Sequence, residues 1–238
     1  MFEGGIGVVY ITGDCHGDFE RIFNFCEFAT TSQRDDVMII LGDAGINYFL
    51  DERDGWLKEE LSLLPLTIFC VHGNHEERPY KISSYIEKEW NSGVVYYEEN
   101  YPNILFAKDG EIYNLNNKKT LVIGGAYSVD KYARLQSGRP WFDSEQPNEQ
   151  IKAYVEEHLE KVDWKVDCVL SHTCPKKYEP REAFIPGIKQ WLIDKETEEW
   201  LDTIEKKLTY ECWYFGHFHC NKNEGKAIIL YKDIEGFR

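Results

Sequence analysis

Five times along the chain, a short apolar run ends at once in a cluster of aspartate, asparagine or histidine. Val8-Val9-Tyr10-Ile11-Thr12 leads into Gly13-Asp14-Cys15-His16, and Val37-Met38-Ile39-Ile40-Leu41 into Gly42-Asp43. Thr67-Ile68-Phe69-Cys70-Val71 leads into His72-Gly73-Asn74-His75-Glu76. Val166-Asp167-Cys168-Val169-Leu170 precedes Ser171-His172-Thr173, and Cys212-Trp213-Tyr214-Phe215 precedes Gly216-His217-Phe218-His219. Short runs rich in β-branched and aromatic residues read as buried strands. Where strands alternate with helices the fold is α/β, and such folds collect their ligands beyond the carboxyl ends of parallel strands.

The intervening segments supply the helices. Phe19, Ile22, Phe23 and Cys26 recur at helical spacing, so a helix is expected over 18–29, capped by Asp18. A polar turn over 30–35 follows, and further helices are expected over 51–63, 79–90 and 146–162, with a helical stretch ending near 208. Short strand candidates at 94–97, 104–107, 111–115 and 120–124, separated by turn residues, read as a mixed or antiparallel second sheet. A closing strand is expected over 227–231. Segments 126–147 and 175–187 have no clear period and read as functional inserts in a single domain spanning 1–238.

The polar clusters have the chemistry of metal ligands. In an extended or turning segment, residues i and i+2 face the same side, so Asp14 and His16 can converge on one ion; His217 and His219 repeat that spacing. Asp, His and Asn without thiolates point to manganese, iron, zinc, cobalt or nickel. The ligands are too many for one tetrahedral ion and about right for two, with one carboxylate bridging.

The order D-x-H, G-D, G-N-H-E, H, G-H-x-H closely resembles the calcineurin-like metallophosphoesterase superfamily, from Asp14 to His219. The resemblance implies a four-layer α/β/β/α sandwich with two mixed β-sheets and a dinuclear site at the strand ends. It implies that Asp14, His16 and His219 hold one divalent ion and Asn74, His172 and His217 the other, with Asp43 bridging; manganese is the favoured metal. His75 becomes the catalytic histidine that protonates the leaving oxygen or stabilises charge there. The implied activity is hydrolysis of a phosphoester by a hydroxide held between the ions.

The sequence departs from the phosphoprotein phosphatase branch of that superfamily. Ile46 stands where a second aspartate would orient the catalytic histidine, Asn47 where an arginine would clamp phosphate, and His72 where an arginine would precede G-N-H-E. Arg134 and Arg139 are the arginines expected to contact phosphate instead. The expected substrate is therefore a small-molecule or nucleotide-type phosphomonoester or diester. The alternatives are a Ser/Thr-type phosphoprotein phosphatase and a non-catalytic metal-binding scaffold of the same fold.

Composition narrows the partners. A formal charge of −15 argues against extended nucleic-acid binding through a basic surface, while bound ions can make the site locally positive within an acidic envelope. Seven cysteines without a CxxC pair read as reduced thiols. Met1-Phe2-Glu3-Gly4-Gly5 has no basic region of a signal peptide, and the apolar run Leu63 to Val71 is too short for a bilayer. These observations imply a cytoplasmic protein with no membrane partner.

Overall fold

Two mixed sheets form the frame of the protein. The computed structural model describes residues 7–28 and 35–238. The readings at 1–5, at Ala29 and over most of the 30–35 turn lie outside the described residues. In chain order the elements are β1 (Val9–Thr12), α1 (Glu20–Phe28), β2 (Val37–Ile40), α2 (Glu52–Ser62), β3 (Thr67–Cys70), β4 (Ile86–Trp90), β5 (Gly93–Tyr97) and β6 (Ile104–Ala107). Then come β7 (Ile112–Leu115), β8 (Lys118–Ile123), α3 (Lys131–Ser137), α4 (Glu149–Lys161), β9 (Cys168–Ser171), α5 (Glu196–Lys207), β10 (Cys212–Phe215), β11 (Lys222–Glu224), β12 (Ala227–Ile229) and β13 (Glu235–Gly236).

The first sheet runs β13-β1-β2-β3-β6-β5-β4 and the second β11-β12-β10-β9-β8-β7. Each has a parallel centre, β1-β2-β3-β6 and β12-β10-β9-β8, bordered by antiparallel strands. Strands buried on both faces should be apolar without alternation, and β2 and β9 are buried at every position.

Their side chains sort by the period of two into three cores. Ile11, Ile39 and Phe69 of the first sheet share a core with Tyr113, Val122, Leu170 and Tyr214 of the second. The alternate residues Met38, Ile40, Ile68 and Cys70 pack against Ile22 of α1 and Leu61 of α2. On the far side, Val169, Trp213 and Phe215 pack against Val155 and Leu159 of α4 and Leu201 and Ile204 of α5. The layers are therefore helix, sheet, sheet, helix, as the resemblance implied. The side chain of Asp51 caps α2 by accepting from Arg53 N–H, and that of Asn148 caps α4 by accepting from Ile151 N–H.

Two expectations fail. The segment 79–90 is not a helix: it is a single 3₁₀ turn at Pro79–Lys81 followed by the edge strand β4. Ile86-Glu87-Lys88-Glu89-Trp90 has a period of two, and Asn91 and Ser92, both at positive φ (47° and 74°), turn β4 tightly into β5. Its charged side chains suit an edge strand, where they discourage pairing with another chain. The middle strands also divide differently: β5 and β6 extend the first sheet, and only β7 and β8 enter the second. The 126–147 segment contains the short helix α3. No helix among the described residues is long and apolar enough to cross a membrane.

Candidate metal centre

The parallel strands β1, β2, β3, β9 and β10 end on the same side of the two sheets, and the loops beyond them bring eight predicted residues together. Asp14 follows β1 and is 1% exposed; its Oδ1 accepts the His217 N–H at 2.8 Å. Its Oδ2 is buried without a hydrogen-bond partner, 3.3 Å from His219 Nε2 and 3.8 Å from His16 Nε2. His16 Nε2 and His219 Nε2 are 3.0 Å apart. Three side-chain donors thus point at one small space.

A second set lies beside the first. Asn74 Oδ1 is 2.7 Å from His172 Nε2 and 3.1 Å from His217 Nδ1. His172 Nδ1 sits 2.8 Å from the Leu41 carbonyl, so that nitrogen carries a proton, and Nε2 is the ring atom aimed at Asn74 and Asp43. Asp43 lies between the sets: its Oδ2 is 3.8 Å from His16 Nε2 and 3.6 Å from His172 Nε2, while its Oδ1 accepts the His75 N–H at 2.7 Å. Three overlapping groups have ligand atoms close enough to share an ion: Asp14/His16/His219, His16/Asp43/His75 and Asp14/Asp43/His172.

The backbone is bent to achieve this. His16, Asp43, His217 and His219 all have positive φ, from 48° to 62°. Such conformations are unfavourable for residues with a Cβ and concentrate at functional sites. Glycines allow the loops to approach: a Cβ on Gly42 would lie 2.1 Å from His172 Nδ1, and one on Gly73 2.0 Å from Asp43 Oδ1.

Electrostatics follow from burying acids among imidazoles. Burial favours a neutral Asp43 carboxyl, but the charges of His172, His75 and His16 outweigh it and hold the group below the usual carboxylate range. Asp14 is likewise lowered: contact with His219 and the charge of His172 overcome burial. Burial and the neighbouring His172 push His217 down to about 3, so it is a neutral imidazole near pH 7. An oxygen-and-nitrogen donor set with ionised carboxylates, neutral imidazole and an orphaned Asp14 oxygen fits divalent transition ions.

His75 lies at the rim, 27% exposed, with Asp130 Oδ1 3.8 Å from its Nε2. Burial, with the charges of Arg134 and His16, lowers its pKa against the opposing pull of Asp43. Arg134 is 1% exposed, with Nη1 3.5 Å from Ser128 Oγ, which itself accepts from Asn74 Nδ2 at 2.9 Å. Arg134 therefore stands behind Asn74 and His75, and its Nη2 has no partner. Arg139 is exposed, donates from Nε to Ser137 Oγ, and does not reach the cluster.

Two further residues support the cluster, Glu76 from the G-N-H-E motif and Asp130, which no motif marks. Glu76 is fully buried, accepts the N–H groups of Gly73 (2.9 Å) and Gly45 (3.2 Å), and is pushed up to about 8 by burial and by Asp43. It ties the loops after β2 and β3 together. Asp130 lies in an aperiodic insert, where only its position at the start of α3 distinguishes it. Ile46 and Asn47 are buried, and Asn47 Oδ1 accepts the Tyr85 hydroxyl at 3.0 Å, so neither faces the cluster as an acid or a phosphate clamp.

Comparisons with known proteins agree with this architecture. No curated protein matches the chain. Among solved structures it is similar to TT1561 of Thermus thermophilus, with 13% identity and a TM-score of 0.50, covering 95% of this chain and 88% of that one. Phosphopantetheinyl hydrolase (PptH) from Mycobacterium tuberculosis is similar at 13% identity and a TM-score of 0.49, covering 94% of this chain and 88% of the other. The first of these likenesses is one of fold. The sequence profile of the calcineurin-like phosphoesterases matches residues 7–221, most of the 238-residue chain, and the protein belongs to the calcineurin-like phosphoesterase family.

Proposed function

We propose that the protein is a dinuclear phosphoester hydrolase acting on a small-molecule or nucleotide-type phosphomonoester or diester. The observation that carries this reading is the position of Asp43 Oδ2, which faces His16 Nε2 at 3.8 Å and His172 Nε2 at 3.6 Å. Asp14, His16 and His219 would hold one divalent ion, and Asn74, His172 and His217 the second, with Asp43 shared. Manganese is the first metal to test. Bound ions would neutralise phosphoryl oxygens and lower the pKa of a coordinated water.

The chain's own residues do the remaining work. His172, pinned by Leu41, and Asn74, held by Ser128, keep their ligand atoms aimed inward before substrate arrives. His75, at the rim of the cavity, gives a proton or a hydrogen bond to the departing ester oxygen. Asp130 faces His75, and the Arg134 charge lies behind it. The buried, Tyr85-bonded Asn47 leaves no phosphate clamp at the position where a phosphoprotein phosphatase carries one, which favours small substrates.

The test is a paired assay on metal-stripped protein with p-nitrophenyl phosphate and bis-p-nitrophenyl phosphate, adding back manganese, nickel, zinc or iron separately. Metal-dependent turnover that collapses in both His75→Ala and Asp43→Asn supports the reading. Stoichiometric metal uptake without turnover of either ester by any metal form would favour the non-catalytic scaffold instead.

A further inference from the structure

The metal-ligand cluster forms one end of a cavity of about 890 Å³, a volume in the range of small-molecule sites. His16, Asp43, Asn74, His75, His217 and His219 line its polar end. The rest of the wall is mainly apolar: Phe184, Ile185, Ile188 and Ile193 of the second insert and its continuation lie with Val129 and Phe218 among polar and charged groups that include the Glu182 and Glu198 carboxyls. The Phe184 and Phe218 rings are 6.3 Å apart and inclined by only 26°. Ile185 is 58% exposed at this wall, and Trp191 and Leu192 of the same segment are 78% and 66% exposed. An apolar surface of this kind, continuous with a polar cluster, marks a place where a ligand completes the burial.

Charge argues for the nature of that ligand. Two lysines line the cavity, Lys195 and Lys222. Lys195 pairs with Glu179 at 2.7 Å, and Lys222 pairs with Glu182 and with Glu224. Both lysines are already paired with protein carboxylates, and Glu182 and Glu198 add negative charge to the same wall, so the far end is a poor place for a second phosphate. We infer that the substrate is the phosphoester of a bulky, uncharged apolar alcohol, with its phosphate at the Asp43 end and its body between Phe184, Ile188 and Phe218. The inference rests on the hydrolase reading and narrows it away from polyphosphorylated nucleotides and oligonucleotides.

Two series test it with the manganese-loaded protein. The first is turnover of alkyl p-nitrophenyl phosphodiesters from methyl through butyl to octyl, in which the leaving group is constant. The second is calorimetric binding of methyl-, butyl- and octylphosphonate, which needs no turnover. Affinity is expected to rise about threefold to fourfold for each methylene that becomes buried, and the slope should flatten in Ile188→Ser and in Phe184→Ala. Inosine triphosphate is expected to bind no more tightly than methylphosphonate. Chain-length-dependent binding without diester or monoester hydrolysis would uphold the apolar subsite and overturn the hydrolase reading. A flat series in both measurements, or a slope unchanged in both variants, would overturn the inference whether or not esters are cleaved.

Discussion

Asp130 Oδ1 lies 3.8 Å from His75 Nε2, although it comes from the insert that carries α3 rather than from the loop after Asp43. This separation is too long for a direct hydrogen bond but short enough for one bridging water or a small side-chain rotation. A carboxylate thus stands beside His75 from another part of the chain, while Ile46 is buried in the core. Asp130→Asn is expected to lower kcat about tenfold to a hundredfold while KM stays within about twofold and ion content is unchanged. Asp130→Glu should recover part of the loss. Steady-state kinetics with ion content measured in parallel check this, and an unchanged kcat in the asparagine variant would exclude an orienting role.

Gly42 keeps His172 in place. It has φ +91°, and a Cβ there would meet the His172 ring at 2.1 Å. Gly42→Ala is expected to displace that ring from the Leu41 carbonyl and weaken the Asn74/His172/His217 ion about tenfold to a hundredfold. The left-handed backbone adds a cost of about 1–2 kcal/mol in stability. Competition with a fluorescent chelator measures the affinity, and denaturant unfolding the stability.

Glu198 on α5 is 2% exposed; its Oε1 accepts the Thr173 hydroxyl at 2.8 Å and its Oε2 has no partner. Burial raises its pKa despite the Lys195 charge and the Thr173 bond. The folded state therefore holds the proton more tightly than the unfolded chain, and stability falls as pH rises above the unfolded value of about 4.3. Glu198→Gln removes this ionisation. The variant should be more stable than the parent at pH 8, with the gap narrowing toward pH 5.5 in urea unfolding. A gap that widens on acidification would reverse the sign.

Arg78 and Asp109 form an ion pair at 2% and 9% exposure, and Arg78 Nε also donates to the Ser144 carbonyl at 2.8 Å. Asp109→Ala would strand the guanidinium in the interior. The expected loss is about 3–5 kcal/mol by denaturant unfolding, far more than for an exposed pair such as Lys161–Glu157.

The α/β alternation and the eight clustered residues were legible in the sequence because each rests on a local pattern, whereas the four-layer stacking came from the resemblance to the phosphoesterase superfamily. Buried strands such as Val37–Ile40 are unbroken apolar runs, and Asp14, Asp43, Asn74, His172 and His217 follow such runs directly. Pro79 to Trp90 is ambiguous in sequence because its charged residues suit either an exposed helical face or an edge strand; the alternation and the Asn91-Ser92 turn decide for the strand. The membership of β5 and β6 in the first sheet depends on a long-range pairing, Ile68 with Ile104, that no local pattern specifies. Asp130 was illegible for the same reason: its proximity to His75 is set by where the insert folds back. Arg134 and Arg139 looked equivalent in sequence, yet packing buries the first behind His75 and leaves the second in solvent.

Asp14, His16, Asp43, Asn74, His172, His217 and His219 are proposed to form one site for two ions. Mass-spectrometric metal analysis of the purified chain after equilibration with manganese and removal of free ion tests it most directly, with Asp43→Asn alongside. Two ions per chain in the parent and fewer than two in the variant are predicted. One ion or none in the parent, or two retained by Asp43→Asn with undiminished affinity, would contradict the claim.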